Sequence, residues 1–382
     1  MRNRKKRCGK GPVRHSTAWR VIVLLLIITF IIPQVGCSSN DENYQGISKT
    51  GFYLDTICTI TIYGVDPESR LGKELAQAGE EQQKKKILQL ITDAFLECDR
   101  CEKILSKTVD TSEIAQINRA GGKTVTVGDM TAEVIRKGLE FGDLSGGAFD
   151  ITIGKATDLW NFHDVDEKHE SEDPLPEKAA LEEAVRHVNY RKVHVDGNQV
   201  TLGDPEMEID LGGIAKGYIS DRLAVWLQEQ GVVSAVIDLG GNIVAMGGKS
   251  KQLLQLPEED FTIGIRNPQD STGQLLAAFT CRDKAVVTSG TYERYVEKDG
   301  KKYHHILDPK TGMPADTDVE SVTIIMNRGH GADADGLSTT CLALGVKKGM
   351  ELIESTDDAE AVFVDRNETV SATSGAPDLT WN

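Results

Sequence analysis

The sequence predicts an α+β fold, and three observations predict it. Two β-hairpins are marked by Asp-Gly turns, helical stretches are interspersed with strands without regular βαβ alternation, and a glycine-closed strand motif occurs twice. With 382 residues, 39% hydrophobic and 27% charged, the chain can bury one large core or two modest ones and lies outside the disordered range. An aromatic content of 5% and a net charge of −16 argue against nucleic acid as a partner.

The N-terminus reads as an export leader. Eight basic residues and no acidic one precede Cys37, which leaves 35 basic against 59 acidic residues beyond it, a net of −24. The apolar run Val21 to Ile32 is short for a permanent membrane helix and leads into Gly36-Cys37-Ser38, which resembles a bacterial lipoprotein cleavage box. The expected organisation is a signal peptide over 1–36, a lipidated Cys37 with a polar linker over 37–50, and a catalytic domain over 51–378. The body would then sit outside the cytoplasm, held at the membrane by its lipid.

Beyond the linker, Gly51 to Tyr63 is β-branched and alternating, which predicts a strand. A helix follows over about Glu80 to Leu105, with Ile87, Ile91, Ala94, Cys98, Cys101 and Leu105 on one stripe. That spacing places the Cys98-x-x-Cys101 pair in the core rather than at a redox centre, and no second pair exists to make a zinc site. A second helix, Asp129 to Leu144, opens on a capping aspartate. Hairpins are expected about Asp196-Gly197 and Asp299-Gly300, and helices over Ile214 to Gln230 and Asp335 to Leu344. Acidic Asp164 to Glu177 reads as a surface insertion. Ile209-Asp210-Leu211-Gly212-Gly213 is echoed by Ile237-Asp238-Leu239-Gly240-Gly241, which suggests two strand ends approaching one ligand.

Four segments could carry chemistry. Gly146-Gly147-Ala148-Phe149-Asp150 is a glycine-rich loop. Asp210 to Tyr218 runs from a glycine pair into a helix with Lys216 in its first turn, which suits a phosphate, although a plain strand–turn–helix fits the same residues. Asp335 and Thr339 are four apart on one helix face and offer hard oxygen ligands, better matched to magnesium than to zinc; a helix cap at Asp335 is the bland alternative. His304 and His305 end a hairpin strand, so only one of them can face a given pocket, where an imidazole would serve as a general base.

Together these motifs resemble the FAD:protein FMN transferases, once described as thiamine-biosynthesis lipoproteins. The likeness spans about Gly51 to Asp365 and rests on Leu54-Asp55-Thr56, Ser112-Glu113-Ile114 with Asn118, GGAFDIT, IDLGGIAKGY with Asp221, the IDLGGN echo, Thr288-Ser289-Gly290 with Tyr292, HHILDPKTGMP, and Asp335 with Thr339. The resemblance implies a fold related to the tunnelling fold with FAD held between two halves. It implies that Leu54, Thr108, Ala148, Phe149, Asp150, Asp210, Lys216 and Ile306 meet the flavin nucleotide. It further implies that the Gly213 carbonyl, Asp335 and Thr339 hold Mg2+, and that His305 activates the threonine of an acceptor flavoprotein while Lys216 assists. Many members carry methionine in place of Leu54 and tyrosine in place of Thr108. The same residues would serve FAD hydrolysis with water as acceptor, or a flavin-binding lipoprotein without chemistry.

Overall fold

An eight-stranded antiparallel sheet organises the computed structural model, which describes residues 44–160, 162, 174–270 and 272–381. Its strands lie in the order Ile47–Tyr53, Thr56–Val65, Val232–Leu239, Asn242–Met246, Lys284–Gly290, Val319–Asn327, Glu360–Asp365 and Val370–Ala372. The two outer strands do not pair with each other, so the sheet stays open rather than closing into a barrel. The leader, Cys37 and most of the acidic insertion lie outside the described residues.

Alternation along the strands assigns the two faces. Cys58, Ile60 and Ile62 on one strand, and Ala235, Ile237 and Leu239 on the next, point to one side and are fully buried. The helices Glu80–Leu105, Ala215–Glu229 and Gly331–Leu344 cover that side, and Ile87, Ile91, Cys98, Leu223 and Leu337 complete the core. Both CxxC thiols are inaccessible, in agreement with the core reading. On the other side, Ala245, Val286, Ile325 and Val362 pack against Phe261, Ile263 and Phe279 of a smaller sheet.

Four expectations need correction. Gly51 to Tyr63 is not one strand but a hairpin, with Tyr53 opposite Thr56 and both turn residues left-handed, Leu54 at φ 54° and Asp55 at φ 55°. Leu54 is not a residue that announces such a turn. Tertiary contacts hold it: Leu54 N–H donates to Glu102 Oε2 at 3.1 Å, and Arg294 Nη2 donates to the Asp55 carbonyl at 2.9 Å. The helix Asp129–Leu144 is preceded by Gly128, whose N–H is taken by the Glu113 carboxylate at 3.0 Å, so Asp129 is the first helical residue and not the cap. The last large helix begins at Gly331, four residues before the expected start, which places Asp335 inside it and removes the capping alternative. Finally, Ile209-Asp210-Leu211 is irregular chain, whereas Ile237-Asp238-Leu239 ends a strand.

Candidate active site

The glycine echo still has a shared local cause. Asp210 Oδ1 accepts the Gly212 N–H at 2.8 Å, and Asp238 Oδ1 accepts the Gly241 N–H at 3.0 Å. In both segments an aspartate folds the chain over itself, in the manner of Asx turns. The first turn delivers Gly213 and then the helix from Ala215.

At that helix's start two backbones touch. A methyl on Gly217 would lie 2.1 Å from the Gly331 carbonyl oxygen, so only glycine allows the two helices to cross here. The crossing brings Asp335 over the first turn of the Ala215 helix, and Asp335 Oδ2 accepts the Gly217 N–H at 2.9 Å. One turn further along, the Thr339 hydroxyl faces Gly213; a methyl on Gly213 would sit 3.4 Å from Thr339 Oγ1 and 3.0 Å from Phe149 Cε2. Gly213, Asp335 and Thr339 are therefore gathered as the sequence suggested. Among the described residues no three His, Cys, Asp or Glu side chains cluster as a metal site, so these oxygen donors include a single carboxylate.

Lys216 is half-buried, its Nζ 3.4 Å from the Gly212 carbonyl oxygen, and it makes no ion pair among the described residues. Its charge reaches both His305 and Glu293. Among the described residues no ring stacks face-on against His305; Phe162 lies roughly perpendicular to it, with ring centroids 6.3 Å apart. Its Nδ1 lies 3.1 Å from the Arg294 carbonyl oxygen, an acceptor, so Nδ1 carries the proton and Nε2 keeps a free lone pair. Desolvation, with the charges of Arg294 and Lys216, pushes the imidazole down to about 3 and keeps it neutral. Its neighbour His304 is buried, with Nε2 at 3.2 Å from the Ala315 carbonyl, so the two rings do face opposite ways.

Glu293 was missed by sequence reasoning. It is exposed to solvent, yet desolvation outweighs Lys216 and pushes its carboxyl up to about 7, with Asp335 adding to the rise. Gly241 lies close by, 3.8 Å from Glu293 Oε1 at the position a methyl would take. The adjacent pair Glu293-Arg294, directly after Thr288 to Tyr292, was the available signal.

Lys107 was also missed. Its side chain, only 10% exposed, bonds the Gly154 carbonyl at 2.8 Å and lies 3.5 Å from Asp210 Oδ2, which also accepts the Thr157 hydroxyl at 2.8 Å. Burial works against the Asp210 carboxylate, but Lys107, the Gly212 N–H and Thr157 together hold its pKa below the ordinary value.

The remaining candidates are more scattered. Asp150 spends both oxygens inside the fold, Oδ1 on the Thr152 N–H and hydroxyl and Oδ2 on the Tyr190 N–H at 3.0 Å, so it shapes the loop that carries Ala148 and Phe149. Phe149 and Ile306 are buried, Ala148 and Leu54 half-buried, and Thr108 exposed, with its hydroxyl 2.9 Å from Ser106 Oγ. A groove of about 500 Å³ lined by Arg136, Leu139, Glu140, Asp143 and residues 193–196 holds none of these groups.

Residues 54–363 match the family model described as the ApbE family. The chain belongs to that family. A FAD:protein FMN transferase of Treponema pallidum is 32% identical over 371 residues, covering 94% of each chain. Another of Klebsiella pneumoniae is 34% identical over 286 residues, covering 74% of this chain and 84% of that one. Among solved structures, the ApbE protein of Thermotoga maritima has a TM-score of 0.71 at 28% identity, covering 86% of this chain and 97% of its own. The flavin transferase ApbE of Vibrio cholerae has a TM-score of 0.69 at 24% identity, with the same coverage, and bears on the fold alone. The mixed helix and antiparallel-sheet architecture described above is thus that of the ApbE family.

Proposed function

We propose that this chain is an FAD:protein FMN transferase, which moves the FMN half of FAD onto a threonine hydroxyl of an acceptor flavoprotein and releases AMP. The observation that supports the mechanism is His305, whose Nδ1 donates to the Arg294 carbonyl, so that the neutral ring keeps its lone pair on Nε2, beside the charge of Lys216. The threonine hydroxyl gives its proton to Nε2 as its oxygen bonds to the FMN-side phosphorus. The bridging P–O bond breaks, and AMP departs with the bond's electron pair. Lys216 and the helix N-terminus at Ala215 meet the pyrophosphate charge. Asp210, held by Lys107, and the loop of Ala148 and Phe149 border the nucleotide, with Leu54, Thr108, Asp150 and Ile306 contributing to or supporting that wall.

A Mg2+ ion held by Asp335, Thr339 and the Gly213 carbonyl would neutralise developing charge on the phosphates. The donor set fits such an ion: it is all oxygen, and Gly213 faces Thr339 with no side chain between them. A single carboxylate suits Mg2+, which keeps water and phosphate oxygens in its shell.

We further propose export by the 1–36 leader and lipidation at Cys37, supported by the basic stretch, the apolar run and the small residue before the cysteine. The body would then work outside the cytoplasm, on the surface of a membrane. The test mixes the purified chain with FAD, Mg2+ and an extracytoplasmic flavoprotein bearing a target threonine, and looks for fluorescent flavin on the denatured acceptor. Covalent FMN with stoichiometric AMP, both lost with a chelator, is the expected result. AMP without covalent flavin would replace the transferase with a pyrophosphatase, and neither product would leave a binding protein.

A further inference from the structure

The two helices that build the metal-binding candidate lack caps of their own. Ile214 and His330, the residues before Ala215–Glu229 and Gly331–Leu344, place no side-chain acceptor on the N–H groups that a helix start leaves open. Each helix instead receives a carboxylate from the other. Asp335 of the second accepts the Gly217 N–H of the first at 2.9 Å, and Asp221 of the first accepts the Ala332 N–H of the second at 3.2 Å. The two bonds flank the point where Gly217 and Gly331 touch. A methyl on Gly331 would lie 2.7 Å from the Gly217 carbonyl oxygen and 2.9 Å from Asp221 Oδ1.

We infer that Asp221 is a positioning residue, whose bond to Ala332 fixes the rotation and depth of the helix that carries Asp335 and Thr339. The inference rests on the reading of those two residues as Mg2+ ligands. Asp335 and Thr339 are one turn apart on one helix, so any slip of that helix displaces both donors from Gly213 together. Asp335 Oδ2 is already engaged with Gly217, so its angle at the site depends on the same crossing.

The placement of Asp221 is costly for a residue with no task. Its Oδ1 is buried and finds no hydrogen-bond partner among the described residues. Desolvation pushes its carboxyl up to about 6 although the Ala332 and Gly331 N–H groups pull the other way. A neutral side chain would avoid that penalty. What an acceptor of this length adds is a cap at the start of the helix that carries the ligands.

The test measures affinity for the metal alone, with Mn2+ as probe and its free EPR signal as readout, in the absence of FAD. Asp221→Ala is expected to weaken Mn2+ binding by ten- to a hundredfold, the range typical of residues that orient metal ligands. Asp221→Asn keeps an acceptor for the Ala332 N–H and should stay within about threefold of the unmodified chain. Ser112→Ala removes a cap from a different helix, where Ser112 Oγ accepts the Ala115 N–H at 2.9 Å, and should lower the melting temperature without changing Mn2+ affinity. If Asp221→Ala does not fold, Asp221→Glu, which moves the carboxylate by one methylene, must weaken binding instead. Unaltered Mn2+ affinity in a folded Asp221→Ala or Asp221→Glu chain overturns the inference and leaves the metal site standing. Equal weakening by Ser112→Ala overturns it too, since general loosening would then suffice. An unmodified chain that binds no Mn2+ removes the metal reading itself, and the inference with it.

Discussion

Replacing Gly217 by alanine tests the helix crossing on which the whole site depends. The added methyl would lie 2.1 Å from the Gly331 carbonyl oxygen, 2.6 Å from its carbon and 2.8 Å from Asp335 Cβ. A carbon–oxygen contact settles at about 3.3 Å or more, so the helices must part by roughly 1 Å. Two of the three obstructing atoms are backbone, so no rotamer change relieves the clash. The Asp335–Gly217 hydrogen bond, now 2.9 Å, would then stretch beyond hydrogen-bonding range. Overpacking costs about 1–3 kcal/mol and loss of a bond to a charged acceptor about 1.5–3 kcal/mol. Alanine's better helix propensity offsets about 1 kcal/mol of that sum. The net expectation is about 1.5–5 kcal/mol, which for a domain of this size lowers the melting temperature by roughly 2–7 °C. Scanning calorimetry measures that, and the Mn2+ titration should show weakened binding in the same variant. A melting temperature within about 1 °C of the unmodified chain would refute the claim that the two backbones are in contact.

Three further outcomes are expected. His305→Gln should leave FAD affinity, measured by flavin fluorescence, within about threefold while lowering the transfer rate by about 10²–10⁴-fold; transfer at the unmodified rate would exclude His305 as the base. For Glu293, the folded carboxyl is raised from 4.5 to about 7, so the native state binds a proton that the unfolded chain releases, and stability falls as pH rises through that window. Glu293→Gln should flatten the fall in urea midpoint between pH 5 and 8; an unchanged slope would assign the fall to another group. Cys37→Ala should abolish incorporation of radiolabelled fatty acid and release the chain from membranes, whereas persistent labelling would move the lipid to another residue.

The parts of the fold that were legible are those encoded by local periodicity. The stripe from Ile87 to Leu105 specified a buried helix face, and the Asp-Gly turns specified two hairpins, because each signal lies within one element. The Leu54-Asp55 turn was invisible because its left-handed residues are held by Glu102 and Arg294, which are distant in sequence. The start of the Gly331 helix was misplaced for a related reason: its cap, Asp221, belongs to another helix. At the site, Asp335 and Thr339 could be paired from their spacing, but Gly213 joins them only through the helix crossing. Glu293 was signalled only by its place beside Arg294 after Thr288 to Tyr292, and its raised carboxyl follows from desolvation beside Lys216 and Asp335, which come from distant parts of the chain.

The electrostatics of the site bear on when catalysis can begin. The body beyond Cys37 carries a net charge of −24, yet the substrate is itself an anion, so attraction must come from cations within a Debye length of about 8–10 Å. On the proposed function Lys216 and Arg294 would provide it, and both also act on His305, where desolvation first and then their charges push the imidazole down to about 3. A base that weak accepts a proton from a threonine hydroxyl poorly, since efficiency rises as its pKa approaches the working pH. On the proposed function, two negative charges of the pyrophosphate beside Lys216 and Arg294 would offset the part of that depression due to their charges, while the larger part, desolvation, would stay. On that reading, His305 would be a somewhat stronger base with the phosphorus it serves in place than without it.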